Sequence, residues 1–209
     1  MIDFTQIILL RVVILISMTL HEAMHAFASN WLGDETAKQE GRLTLNPIAH
    51  IDPFLTVLLP VLLLISGGPI FGGAKPVPFN PSRVKYGEFG AMLVGIAGPL
   101  TNLVLAFVFF GIYALVGLSP VGDILRLAVV VNLGFFIFNM IPIPPLDGSR
   151  VSYYLAPDTV RRIMASMERY GIIIILGIVV LFGSFLSSYV QAAISFFVTI
   201  FAAIFGPVL

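Results

Sequence analysis

Residues 17–28 read Ser-Met-Thr-Leu-His-Glu-Ala-Met-His-Ala-Phe-Ala and carry a His-Glu-x-x-His motif in the middle of an apolar stretch. In an α-helix, His21 and His25 lie on one face and one turn apart, so both imidazoles can bind the same metal ion. Glu22 is not needed as a ligand, and its carboxylate can act as a general base toward a water molecule that the metal activates. The motif therefore indicates a zinc site of the hydrolytic kind.

The competing interpretation of this motif is a pair of buried histidines that are satisfied by hydrogen bonds. Three ionisable groups in a helix apolar enough for a membrane are costly unless a metal or a function retains them. The complete motif therefore favours a metal site over a structural role.

The composition of the whole chain is that of a polytopic membrane protein. Of its 209 residues, 58% are hydrophobic and 11% are charged, whereas a soluble domain carries about 25% charged residues. The net charge is zero, so nothing indicates a nucleic-acid partner, and membrane lipid is the expected surrounding. The chain has no cysteine, so any metal must be bound by His, Asp or Glu.

Long apolar stretches predict an all-α polytopic membrane protein with five or six membrane segments, because about 20 apolar residues cross the hydrocarbon. Proline and glycine interrupt the second stretch, which therefore either crosses the bilayer or dips in and returns. The first stretch lacks the basic start of a signal peptide and is expected to be a retained span. The stretches are 4–32, 54–71, 90–117, 123–141, 171–187 and 190–206.

The polar connections predict a small membrane-associated β element. They also predict which loops lie on the cytoplasmic side of the membrane. Residues 41–47 alternate polar and apolar before reaching Asn46-Pro47, a pattern typical of a short strand and a turn. Lysine and arginine cluster in the loops 72–89 and 149–170. The positive-inside rule makes the side on which these loops lie cytoplasmic.

A catalytic zinc needs a third protein ligand and an open position. His50 and Asp147 are the leading candidates, and His50 suits an interfacial polar group better than a ligand. Asp147 follows a span, but Asp-Gly is also a common turn pair, so its spacing alone gives the two interpretations equal weight. The weaker candidates are Asp52, Glu88 and Asp123.

Two further features have both a functional and a structural interpretation. The segment containing Pro142, Pro144 and Pro145 either presents backbone carbonyls to a substrate strand or simply stops a helix at the membrane edge. Asn102 lies in an apolar span. Its amide either binds the scissile carbonyl or oxyanion or makes an interhelical hydrogen bond worth about 0.6–2 kcal/mol.

Together these motifs resemble the site-2 protease family of intramembrane zinc metalloproteases. The resemblance is carried by the His-Glu-x-x-His motif, by Asn102 in a middle span, and by Asn139-x-x-Pro-x-Pro-Pro-Leu-Asp147-Gly148. Asn46-Pro47 and the Pro-rich residues 75–81 resemble the compact prokaryotic branch without PDZ or CBS domains. The resemblance covers roughly residues 15–150.

The resemblance implies that His21, His25 and Asp147 bind one Zn²⁺, that Glu22 is the base and that Asn102 assists at the substrate carbonyl. It implies a transmembrane protein as substrate, presented as a strand by the β element near 41–47. We expect that strand to lie near Asn102 and the prolines Pro142, Pro144 and Pro145.

The resemblance also sets expectations for the whole chain. Residues 1–209 are expected to form one integral-membrane metalloprotease domain, with a catalytic core at about 4–150 and two C-terminal helices over 171–206. If all three ligands share one zinc, the segment 54–71 should be re-entrant, and the site should lie nearer the cytoplasmic side of a prokaryotic cell membrane. The rival interpretation is a non-enzymatic metal transporter or metal-binding membrane protein.

Overall fold

The computed structural model describes residues 4–65 and 72–206, and all regular secondary structure within these ranges is helical. The all-α prediction is therefore confirmed for this part of the chain. A 3₁₀-helix covers Pro47–His50, and a π-helical segment covers Pro53–Leu58. The α-helices are α1 (Phe4–Trp31), α2 (Thr36–Gln39), α3 (Leu59–Ile65), α4 (Gly87–Val116), α5 (Pro120–Asn139), α6 (Gly148–Leu155), α7 (Asp158–Glu168) and α8 (Gly171–Phe205).

Four helices in the described ranges are long and apolar enough to cross a membrane: Ile8–Trp31 within α1, and the whole of α4, α5 and α8. This finding corrects the expected five or six segments. The apolar helix Pro53–Leu62 is shorter than a span. The rest of the predicted 54–71 segment, residues 66–71, lies outside the described residues.

The two predicted C-terminal spans form the single element α8, and no break occurs near Ser187. Its 35 residues at about 1.5 Å each exceed the hydrocarbon thickness of about 30 Å. The backbone of Phe182 departs from helical geometry, with φ −122° and ψ 19°, so the element is kinked there. Apolarity extends across the whole of 171–206 and therefore does not indicate where the helix bends.

The predicted β element near residues 41–47 is wrong, because none of these residues pairs with another strand in the described structure. Local hydrogen bonds take their backbone groups instead: the Arg42 amide donates to Ala37, and the Thr44 amide donates to Arg42. The alternation in the sequence has another cause. Arg42 is buried while Leu45 is exposed, as in an irregular turn that covers one polar side chain.

A hydrogen bond of Arg42 connects this turn to the loop that precedes α4. Its Nη2 donates to the Lys75 carbonyl at 2.5 Å and lies 3.3 Å from Nδ1 of His50. His50 is fully buried, and its Nε2 lies 2.9 Å from the Thr44 carbonyl. Both ring nitrogens of His50 thus have partners within the turn, which explains its presence without a metal.

The centre of the molecule is built by α1, α4 and α5, with α4 packing against both of the others. An apolar cluster then joins α4 and α5 to α8 through Ala106, Phe110, Leu133, Ile137 and Phe201. The outer faces of the spans carry exposed large apolar side chains, including Ile16, Val104 and Phe185. Exposed apolar faces on helices of this length fit a multi-pass protein that is surrounded by lipid.

Candidate metal centre

Three side chains that are distant in sequence meet between α1, α4 and the start of α6. Nε2 of His21 lies 3.1 Å from Nε2 of His25 and 3.1 Å from Oδ2 of Asp147. Nε2 of His25 lies 3.4 Å from the same Asp147 oxygen. His21, His25 and Asp147 therefore form a group that could hold a metal ion. It is the one such group of His, Cys, Asp and Glu residues found in the described part of the chain.

The spacing of these three atoms fits a zinc ion. Ligand atoms about 2.0–2.2 Å from a tetrahedral zinc lie about 3.3–3.6 Å from one another, close to the observed 3.1–3.4 Å. Two imidazoles and a carboxylate are a donor set that zinc accepts, and three protein ligands leave the fourth position open. The residues present therefore fit a catalytic type of zinc site.

Hydrogen bonds behind the site orient both imidazoles. Nδ1 of His21 lies 2.5 Å from Oδ1 of Asn102, and Nδ1 of His25 lies 2.7 Å from the backbone carbonyl of Val94. Both partners accept, so each Nδ1 carries the hydrogen and each Nε2 presents its lone pair to the centre. A metal-binding histidine needs this arrangement.

Helix α4 forms the wall of the centre, and glycine at position 98 makes that possible. A Cβ added to Gly98 would lie 2.3 Å from Nε2 of His25 and 2.7 Å from Nε2 of His21. Gly95, one turn earlier, approaches Arg150 and the Asp147 backbone in a similar way. A larger side chain at position 98 would therefore occupy the space into which the ligands point.

Asp147 reaches the histidines from the turn between α5 and α6. It begins α6 without capping that helix through its own carboxylate, which remains available to the histidines. Without a metal ion, burial by itself would raise the pKa of the Asp147 carboxyl, but His25 and His21, in the protonated form that a bound metal would replace, outweigh burial and lower it. The group is thus held as a carboxylate, which is the form that binds a metal.

Glu22 is half-buried on the helix that supplies both histidines. Glu22 directly follows His21 in α1 and precedes His25 by three residues. Within residues 4–65 and 72–206, no hydrogen bond or ion pair engages the Glu22 carboxylate. The carboxylate is therefore free to exchange a proton with a water molecule beside the centre.

Asn102 lies next to the centre, where its side chain contacts the candidate metal ligand His21. Its Oδ1 accepts from His21, while its Nδ2 donates to Oδ1 of Asn132 at 2.8 Å and to the Ser17 carbonyl at 3.4 Å. All of its polar atoms are thus engaged within the protein. The expected contact of Asn102 with a substrate carbonyl stays a prediction.

The prolines lie in a compact turn that follows the end of α5. The Ile143 amide donates to Ile141, and the Leu146 amide donates to Ile143, so the backbone folds on itself. Pro144 is buried, whereas Pro142 and Pro145 are exposed. Their expected role in substrate binding stays a prediction. Of the other candidate ligands, Asp52 caps the helical segment that begins at Pro53.

The sequence interpretation missed Val94, Ser17 and Asn132. Val94 acts through its backbone carbonyl, which has no sequence signal. Asn132 is a buried amide in an apolar span and could have been found by the reasoning applied to Asn102. Its partners, however, depend on how α1, α4 and α5 pack.

Among the proteins similar to this chain are three that carry zinc metalloprotease names. "Putative zinc metalloprotease YwhC" of Bacillus subtilis is 40% identical over 96% of this chain and 94% of the relative. "Putative zinc metalloprotease Rip2" of Mycolicibacterium smegmatis is 33% identical over 77% of this chain, which spans 62% of that relative. "Putative zinc metalloprotease MJ0611" of Methanocaldococcus jannaschii is 44% identical over 28% of this chain and 31% of the relative.

No protein-family model and no solved structure matches the chain. The match to YwhC nevertheless covers nearly the full length of both chains.

Proposed function

The chain belongs to the family of zinc metalloproteases that includes YwhC, and from this premise we propose that it is an intramembrane endopeptidase of the site-2 protease type. It hydrolyses peptide bonds within or near the transmembrane segments of other membrane proteins. The observation that carries this proposal is the His21–His25–Asp147 group, whose two histidines lie on a helix apolar and long enough to cross a membrane.

His21, His25 and Asp147 would hold one zinc ion per chain. A zinc ion bound there supplies Lewis acidity, which lowers the pKa of a water molecule to about 7 and polarises the carbonyl under attack. The histidines would be turned correctly toward that ion because their Nδ1 atoms donate to Asn102 and Val94, which leaves each Nε2 facing the centre.

Glu22 is the general base in this proposal. Its carboxylate accepts a proton from the attacking water and then passes that proton to the leaving amine nitrogen. The absence of a competing hydrogen bond or ion pair on Glu22 among the described residues supports this role.

The substrate segment must unwind locally, because the hydrogen bonds of a helix and its packed side chains shield each peptide bond. Pro142 and Pro145 are exposed and lie close to Asp147 along the chain. Their exposure supports the proposal that an unwound substrate strand binds at the turn that contains them. Asn102 can also bind the substrate carbonyl if it gives up one of its present hydrogen bonds.

The protein is proposed to lie in a prokaryotic cell membrane, with the centre nearer the cytoplasmic side. The clustered lysines and arginines of 72–89 and 149–170 favour that side for both loops. Among the described residues, two helices long enough to cross, α4 and α5, separate the end of α1 from the start of α6, which supports a common side for the two parts of the centre.

The Glu22→Gln variant tests the proposal directly. The amide keeps the size of the side chain but cannot accept a proton, so the variant should bind zinc like the wild type and cleave a model transmembrane protein at least about 100-fold more slowly. Cleavage and zinc content are measured on purified protein reconstituted into vesicles.

Glu35→Gln is the matched control, because Glu35 is an exposed carboxylate that pairs only with Lys38 among the described residues. It should cleave at the wild-type rate. Wild-type cleavage by Glu22→Gln would refute the proposed base, and wild-type protein that binds zinc without cleaving any transmembrane substrate would favour a metal transporter or metal-binding protein.

A further inference from the structure

Behind the metal centre, three polar side chains from three different spans meet in a buried cluster. Ser17 belongs to α1, Asn102 to α4 and Asn132 to α5, and their exposed fractions are 2%, 0% and 0%. Buried amides in an apolar bundle are costly unless every donor and acceptor is paired. The hydrogen bonds of this cluster can therefore be followed atom by atom.

The orientation of the Asn132 amide is set by a backbone group. Its nitrogen donates to the Ala128 carbonyl at 2.8 Å and to Oγ of Ser17 at 2.9 Å. A carbonyl oxygen can only accept, so this end of the Asn132 side chain must be the NH₂ group. Oδ1 of Asn132 consequently faces Asn102.

The orientation of Asn102 follows from that of Asn132. Oδ1 of Asn132 accepts from Nδ2 of Asn102 at 2.8 Å, and the Ser17 carbonyl accepts from the same nitrogen at 3.4 Å. Oδ1 of Asn102 therefore faces Nδ1 of His21, 2.5 Å away. An oxygen in that place requires the hydrogen to be on Nδ1, which leaves the lone pair of Nε2 for the metal.

We propose that Asn132 is a positioning residue, which fixes the tautomer and ring orientation of the ligand His21 by holding the amide of Asn102 in one orientation. The backbone carbonyls of Ser17 and Ala128 set the direction of the whole chain of hydrogen bonds. Among the described residues the hydrogen-bond partners of the Asn132 side chain are Asn102, Ser17 and Ala128, so its effect on His21 passes through Asn102. This inference rests on the metal site of the proposed function.

The alternative is that Asn132 only holds α5 against α1 and α4. In that case its replacement would change the stability of the protein but not the zinc affinity of the folded protein. If Asn132 positions His21, its replacement leaves Asn102 free to turn its nitrogen toward His21. Loss of such an outer partner costs about 10–100-fold in metal affinity.

The experiment measures the zinc dissociation constant by chelator competition on the full chain in detergent micelles. The variants are Asn132→Leu, Asn102→Leu and the double variant. We expect each single variant to bind zinc about 10–100-fold more weakly than the wild type. The double variant should bind no more weakly than Asn102→Leu, because Asn132 has nothing to hold once Asn102 is absent.

Thr101→Val is the matched control. Thr101 neighbours Asn102 in α4, but its hydroxyl donates to the Ala97 carbonyl of its own helix, at 2.8 Å, and to no other group among the described residues. This variant should bind zinc like the wild type. If Asn132→Leu fails to fold, Asn132→Ser replaces it: its hydroxyl can bond the Ala128 carbonyl of its own helix, as Thr101 does with Ala97, but is too short to hold Asn102.

A second measurement reads the tautomer itself by ¹⁵N nuclear magnetic resonance on zinc-free protein labelled at histidine. The chain has 3 histidines, so the His21 signal is assigned by its loss in His21→Gln. We expect Nδ1 of His21 to carry hydrogen in the wild type, whatever the state of Nε2 beside Asp147, and to lose part of that hydrogen in Asn132→Leu and Asn132→Ser.

Unchanged zinc affinity in a folded Asn132 variant, an unchanged His21 tautomer, or multiplicative effects in the double variant would overturn the inference. Each of these leaves the proposed function standing, provided that the wild type binds zinc. Failure of the wild type to bind zinc would instead overturn the proposed function and the inference with it.

Discussion

At the scale of single residues, Gly98 determines how close α4 can come to the metal ligands. Its missing side chain leaves the space in which the two Nε2 atoms converge, because a Cβ there would lie within 2.3–2.7 Å of both. The same closeness allows the neighbouring Val94 carbonyl and the Asn102 amide to reach the Nδ1 atoms. The centre thus depends on a residue that provides no ligand.

Gly98→Ala should therefore lose most of its zinc while keeping its helical content. The added methyl group displaces the imidazoles of His25 and His21 by contact, and we expect zinc affinity to fall at least about 10-fold. Metal analysis of purified protein and far-ultraviolet circular dichroism provide the two readouts.

Gly134→Ala is the control for that substitution. Gly134 lies within α5, and apart from its chain neighbours and its own helix backbone, a Cβ at this position would meet no described atom within 4 Å. Its zinc content should equal that of the wild type. Full zinc occupancy in Gly98→Ala would contradict the position assigned to the metal.

The sequence allowed some residues of the centre to be predicted and left others open. Spacing within one helix fixes the relation between His21 and His25, so these two were predictable. Asp147 could not be separated from a turn residue, because its approach depends on where α5 ends and how α6 packs. The orientation of the Asn102 side chain could not be predicted either, because its hydrogen-bond partners lie on two other helices.

At the scale of elements, Asp34 joins the end of α1 to α2 and to the loop before α4. It is fully buried and accepts hydrogen bonds from the Ser29 hydroxyl, from the amide and hydroxyl of Thr36, and from the Asn80 amide. Burial alone would raise the pKa of Asp34, but these hydrogen bonds outweigh burial and lower it. Asp34 is therefore a carboxylate whose ionised form stabilises the fold.

The lowered pKa predicts how stability depends on pH. Because the folded protein holds Asp34 ionised below the ordinary pKa of 3.8, its contribution is fully present above that pH and is lost as the pH falls further. Thermal unfolding between about pH 3 and 6 should show the wild type losing stability toward the acid end.

Asp34→Asn should be less stable than the wild type at pH 6, and the difference should shrink as the pH falls below about 4. The control is Asp123→Asn, which removes an exposed carboxylate paired with Arg126. It should follow the wild-type curve. A pH-independent difference between Asp34→Asn and the wild type would contradict the role given to the charge.

The elements differ in how well they could be predicted. Apolar stretches located α1, α4 and α5, because a span must be long and apolar whatever its neighbours are. The same criterion failed over 171–206, where a kinked helix is apolar throughout. Apolarity also did not predict the structure of residues 41–47. There the backbone and Arg42 form local hydrogen bonds, and the residues do not pair as a strand.

At the scale of the whole molecule, the arrangement of spans brings Asp147, in the turn after α5, to the two histidines of α1. Asp147 can meet His21 and His25 only if an even number of crossings separates them, and the described α4 and α5 supply two. The apolar helix Pro53–Leu62 is shorter than the four candidate spans, and residues 66–71 beyond it lie outside the described residues.

A reporter inserted near Leu45 should therefore report the cytoplasmic side. A second reporter near Leu118, between α4 and α5, should report the opposite side. An external signal near Leu45 would contradict the proposed orientation, and equal signals at the two positions would contradict the count of crossings.

The most direct test of the central claim is to locate the bond that the protein cleaves. The wild type and a single-span substrate are reconstituted into lipid nanodiscs in H₂¹⁸O, and the products are analysed by mass spectrometry. Cleavage should fall within the transmembrane segment of the substrate, place one ¹⁸O atom in each new carboxyl terminus, and disappear with Glu22→Gln or after removal of zinc. Cleavage confined to the extramembrane parts of the substrate, or undiminished after zinc removal, would contradict the account.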